Sequence, residues 1–135
     1  MIKALENLNP RTASRWGWGL TILVGLFLTM DSAIKLIKFD EVTRSFHDLG
    51  YPDTLSRGLG LLEALILLLY LVPRTSALGA ILLTALLGGA VASHVRIESP
   101  LFTHVLFGVY VGVLAWAGLY LRDRRLRELV SLRPV

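Results

Sequence analysis

Residues 16–37 read WGWGLTILVGLFLTMDSAIKLI. From Trp16 to Met30 the stretch is apolar enough to lie in hydrocarbon, and then Asp31 and Lys35 stand inside the same run, four apart. Residues at i and i+4 share one face of a helix. Ionisable groups within a membrane helix are costly, and they normally face the bundle interior or a wet cavity. The first helix therefore carries one charged stripe near one end, and the other helices can be searched for polar groups at the same depth.

The whole chain supports a membrane setting. Its 135 residues are 54% hydrophobic and only 18% charged, more apolar sequence than a soluble domain of this length can bury. Runs of about 20 apolar residues are the signature of spanning helices. Four such runs follow, at about 16–37, 55–72, 76–97 and 101–121. They predict an all-α integral membrane four-helix bundle forming a single domain over 1–135. The first apolar run follows a polar, charged stretch rather than the pattern of a cleaved signal, so it is expected to stay as an anchor. There is no cysteine, which excludes disulfides, thiolate metal sites, thiol-linked haem and cysteine nucleophiles. The net charge of +4 does not indicate nucleic acid, because the basic residues cluster at the ends of apolar runs, which is a topology signal.

Between the spans the punctuation is clear. Residues 1–15 read as a short surface helix carrying Ile2, Leu5 and Leu8, ended by a turn at Asn9-Pro10. Trp16 and Trp18 mark one membrane interface, and Trp116 and Tyr120 form an aromatic belt at the end of span four. Residues 38–56 are too polar to span. Phe39, Val42, Phe46 and Leu49 recur at helical spacing, predicting an interfacial helix over about 40–48 between spans one and two, capped by Asp40 and ended by Gly50. Pro73-Arg74-Thr75 is a tight turn, making spans two and three antiparallel neighbours. Span three is rich in small residues such as Gly79, Ala80, Gly88 and Gly89, and span four holds Gly108-x-x-x-Gly112. Small residues let helices approach closely, so spans three and four are expected to pack through them. Nine of the 14 Lys and Arg residues fall on the side of the termini, which the positive-inside rule assigns to the cytoplasm.

Depth then singles out the candidate site. Asp31 lies about six residues inside the outer end of span one, roughly 9 Å at the helical rise, and Glu63 is at a comparable depth in span two. His94 and His104 lie about a turn inside spans three and four, with Lys35 and Arg96 shallower. All four spans bring ionisable groups to the outer half, while the inner half is Leu, Ile, Val, Gly and Ala. Lys35 and Arg96 are long enough to snorkel to the interface, but Glu63 is not. A charge at that depth costs on the order of 2–3 kcal/mol, so Glu63 is expected to face inward within reach of Lys35 or His94. Asp31, Lys35, Glu63, His94 and His104 are expected to converge on one cavity opening toward the outer leaflet.

Several pieces together resemble the DoxX-like group of small four-helix bacterial membrane proteins. They are Asp31-x-x-x-Lys35, Leu49-Gly50-Tyr51-Pro52, Gly60-Leu61-Leu62-Glu63, Gly88-Gly89-Ala90-x-Ala92-x-His94 and Tyr120-Leu121-Arg122-Asp123. The resemblance covers roughly 16–128. It implies a multi-pass protein of the bacterial inner membrane. Relatives are linked to membrane redox systems, including a thiosulfate-oxidising quinone reductase subunit and a partner of superoxide dismutase. A eukaryotic relative assists receptor-channel assembly, and the fold is similar to that of bundles that bind sterols or other lipophilic molecules.

Three readings of function follow. In the first, an accessory protein binds a lipophilic molecule such as a quinone, whose carbonyls take donors from Lys35, His94, His104 and Arg96, while the inner half holds its tail. In the second, an isomerase or hydrolase acts on a lipophilic substrate, with Glu63, His94 and Asp31 as the catalytic group, because such a carboxyl beside an imidazole suits proton transfer. In the third, the cluster only staples helices in an assembly partner or homo-oligomer. The two span histidines lie on separate helices, away from any metal-binding helical spacing, and no metal is expected.

Overall fold

The computed structural model describes residues 9–130. The expected surface helix falls largely on residues 1–8, outside the described residues. Four helices are long and apolar enough to cross a membrane. We label the elements α1 (Pro10–Leu36), α2 (Asp40–Asp48), α3 (Thr54–Leu71), α4 (Ser76–Arg96), α5 (Phe107–Arg122) and α6 (Arg124–Val130), with one π-helical turn, Leu101–Val105, ahead of α5.

The sequence-derived spans hold with one correction. Asn9-Pro10 starts the first long helix, which therefore begins six residues before Trp16. The Asn9 side chain accepts from the Arg11 amide at 3.1 Å, and Pro10 occupies the first helical turn. Proline suits that position because its φ is already helical and its missing N–H has no partner to lose. Helix α1 thus runs 27 residues, about 40 Å at the helical rise. The interfacial helix α2 forms as expected, with Phe46 buried beneath it. Phe39, not Asp40, occupies its cap; Asp40 and Glu41 sit in the first turn, where negative charge complements the helix dipole.

Three helix ends on one side of the bundle close in the same way. Beyond α1, the Lys38 and Phe39 amides donate to Lys35 and Ile34 carbonyls at 3.3 and 3.1 Å. Beyond α2, Gly50 and Tyr51 donate to His47 and Phe46 at 2.9 and 2.8 Å. Beyond α4, Glu98 and Ser99 donate to Val95 and His94 at 3.1 and 3.0 Å. This is the paired 5→2 and 6→1 closure that needs a left-handed residue after the cap. Gly50 supplies it at φ 76°; Lys38 and Glu98 are forced to φ 55° without being glycine.

The four long helices form a ring in which α1 packs on α3 and α5, and α4 on α3 and α5. The core runs through Val24, Leu28, Ile66, Leu67, Tyr70, Leu83, Val111, Ala115 and Leu119. The tightest crossing of α5 is with α1. A Cβ on Gly118 would come within 3.2 Å of the Gly17 carbonyl, and one on Gly17 within 2.8 Å of the Gly118 carbonyl. Small residues here let the two backbones meet. The expected α4–α5 contact exists at Gly108, whose Cβ would lie 3.0 Å from Val91 and 3.2 Å from the Leu87 carbonyl. Gly112 makes only ordinary contact, and Gly88 and Gly89 meet nothing; Gly88 and Gly112 border an open groove instead.

Candidate functional site

Helix α1 presents Asp31 and Lys35 one turn apart, and α3 presents Glu63 opposite them. Lys35 Nζ lies 2.5 Å from Asp31 Oδ2 and 2.6 Å from Glu63 Oε2. The helices come this close because Gly60 faces α1, where a Cβ would sit 2.9 Å from Lys35 Cβ and 3.0 Å from the Ser32 carbonyl. Buried Ser56 adds a hydrogen bond to the Lys35 carbonyl at 2.8 Å. The Glu63 side chain is 2% exposed, against 20% for Lys35 and 29% for Asp31. Its second oxygen, Oε1, is buried with no hydrogen-bond partner. Glu63 thus faces inward on Lys35, as the cost of exposing it to lipid demanded.

The histidines form a second group. His94 at the end of α4 and His104 in the π turn stand edge to face, with ring centroids 5.6 Å apart. Each is tethered by Nδ1, His94 to the Ser99 hydroxyl at 3.0 Å and His104 to the Thr103 hydroxyl at 2.8 Å. Their Nε2 atoms are left to a polar cleft of about 340 Å³ between α2 and the α4–α5 connection, bordered also by Glu41, Arg44 and Asp48. The π turn matters here. Val105 and Leu106 donate to carbonyls five residues back, at 3.2 and 2.9 Å, and such turns recur at functional sites.

The expected single cluster is therefore two. Neither Asp31, Lys35 nor Glu63 borders the histidine cleft, because α1 and α4 stand across the ring from each other while His94 turns toward the start of span four. Arg96 joins neither group. Its Nη2 donates to the Leu49 carbonyl, and its guanidinium lies 5.7 Å from the centre of the Tyr51 ring, fastening the α2–α3 connection to α4. Tyr51 in turn bonds Ser93 of α4 at 2.8 Å.

Below the histidines lies an apolar groove of about 700 Å³ between α4 and α5. Leu87, Gly88 and Val91 form one wall, Gly108, Gly112 and Trp116 the other, and Leu126 and Val130 of α6 close the lower end. The Thr84 hydroxyl in its wall accepts from Trp116 Nε1 at 2.8 Å and donates to the Ala80 carbonyl at 2.8 Å. Trp116 thus ties α5 to α4 within this groove. Val91 is three residues before His94, and Gly108 four after His104, so the groove ends one helical turn below the imidazoles.

The inner half is less apolar than the sequence suggested. Tyr70 is wholly buried and donates to the Ala115 carbonyl at 2.7 Å. Arg122 donates to the Tyr70 carbonyl at 2.6 Å and stacks 4.6 Å from the Trp18 ring centre. Their place at span ends reads as interfacial anchoring, which hides an inward role.

Residues 19–118 match the family model described as the DoxX-like family. The chain belongs to the DoxX-like family. The match takes in the charged triad, the paired imidazoles and most of the groove of this family member. No curated protein and no solved structure matches it.

Proposed function

We propose that this DoxX-like protein binds a lipophilic molecule of quinone type in the α4–α5 groove, with the polar head at His94 and His104. Its role is then accessory to a membrane redox system, in a bacterial inner membrane with both termini cytoplasmic. The observation that carries the reading is a long apolar groove that ends one helical turn from two imidazoles whose Nε2 atoms are unengaged. A quinone carbonyl accepts a hydrogen bond from a neutral imidazole N–H, and the walls of the groove suit an isoprenoid tail. Lys35 and Arg96 are not free for this task, since the first serves two carboxylates and the second a backbone carbonyl. Head recognition therefore falls on the histidines. A catalytic group of Glu63, His94 and Asp31 acting together is less favoured, since Glu63 and Asp31 do not line the cleft that His94 borders.

Trp116 supplies the test, because it lines the groove. With Trp16→Phe and Trp18→Phe in place, it is the one remaining tryptophan. A short-chain quinone titrated into this protein in detergent is expected to quench Trp116 saturably. His94→Ala with His104→Ala is expected to weaken binding about tenfold, two hydrogen bonds' worth. Gly112→Leu is expected to fill the groove and remove saturation. Linear quenching that is the same in all variants would reject the binding site and leave an assembly role.

A further inference from the structure

The Asp31–Lys35–Glu63 group lies outside the proposed ligand site and has its own chemistry. Two carboxylates share one ammonium at 2.5 and 2.6 Å, so with all three ionised the group carries one negative charge in excess. The excess falls on Glu63, whose side chain is 2% exposed and whose Oε1 has no partner. We propose that this triad is a proton-binding site, holding one exchangeable proton on the Glu63 carboxyl while Asp31 and Lys35 remain a neutral ion pair.

Lys35 can neutralise only one of the two carboxylates it contacts, and a buried carboxylate without a counter-charge of its own is far more costly than a buried neutral carboxyl. A proton taken from water forms one O–H bond at Oε1, and Oε2 still accepts from Lys35. The site then has no net charge, and no other reactant is needed. None of the three side chains lines either pocket described above, and Gly60 brings the helix backbones into contact beside them, which favours a proton over any larger cation. The neighbouring charges do not alter the count. From α4, His94 bonds Ser99 and Arg96 bonds the Leu49 carbonyl. From α2, Asp40, Glu41, Arg44, His47 and Asp48 are exposed. On α3 itself, Arg57 donates to the Leu36 carbonyl at 3.3 Å.

Infrared spectroscopy of the full chain in lipid at neutral pH reads the proton directly, through the C=O stretch of a protonated carboxyl and its shift in heavy water. The expected result is one such band in the wild type, absent in Glu63→Gln. It should also vanish in Asp31→Asn, because Glu63 then balances Lys35 alone. If Glu63→Gln does not fold, Lys35→Gln serves in its place, and its band should grow to that of two carboxyls. No band in the wild type would overturn the proposal. A band that survives Asp31→Asn unchanged would overturn the charge balance on which it rests.

Discussion

His94 and His104 belong to different spans, yet their rings meet edge to face at 5.6 Å, and this contact sets the end of α4 against the start of span four. The π-helical turn at Leu101–Val105 gives His104 this place by offsetting it from the register of α5. The two imidazoles thereby sit at the head of the α4–α5 groove.

The triad predicts a stability effect. Removing Lys35 takes away both the cation that pairs with Asp31 and the donor to Glu63 Oε2. Lys35→Met is expected to destabilise the bundle by about 3 kcal/mol, the low end for breaking a buried pair. Unfolding in detergent checks this. An unchanged midpoint would mean that the triad is solvated.

The α1–α5 crossing predicts a steric effect. Gly118→Leu must displace the Gly17 carbonyl and Leu20, which a Cβ alone would approach to 3.2 Å. The expected cost is about 1–3 kcal/mol, typical of overpacking. Gly19→Leu is the control, since nothing lies within 4 Å of it, and it should leave thermal unfolding unchanged.

The helix ends predict a gain. Lys38 and Glu98 hold φ 55°, a conformation that costs a side-chain-bearing residue about 1 kcal/mol relative to glycine. Lys38→Gly and Glu98→Gly should each raise stability by about that amount. Lys38→Ala should not, because alanine keeps the Cβ that causes the strain.

The proposed orientation, with both termini cytoplasmic, rests on the basic residues near the termini. Cysteine introduced at Asp48 or Ser99 should react with an impermeant label added to intact cells. Cysteine at Arg74 or Arg127 should react only after lysis. The reverse pattern would invert the topology.

The number of helices, their order and most boundaries were legible in the sequence because apolar run length and turn residues report them directly. Glu63 facing Lys35 was legible from cost alone, since lipid exposure of a carboxylate is the dearer arrangement. The division of the ionisable residues into two groups was not. Residue number along a span encodes depth, whereas the direction a side chain takes around the helix depends on packing, and leucines on every side of Glu63 blur that signal. The π turn that carries His104 has no pattern of its own, and nothing in the sequence marks Tyr70 or Trp116 as bonding a neighbouring helix, as both do. The early start of α1 at Pro10 was hidden for a different reason, as polar residues 11–15 continue the helix without the apolar run that marks the span.

The most direct test of ligand binding in the groove is photocrosslinking. A quinone with a photoreactive group on its tail would be irradiated with the protein in lipid vesicles, and the labelled peptides mapped by mass spectrometry. The account predicts adducts on groove residues of α4 and α5, Leu87, Val91, Val109 and Val113 among them, suppressed by Gly112→Leu and by excess unlabelled quinone. Adducts spread evenly over the lipid-facing surfaces of all four spans, with no suppression by either, would contradict it.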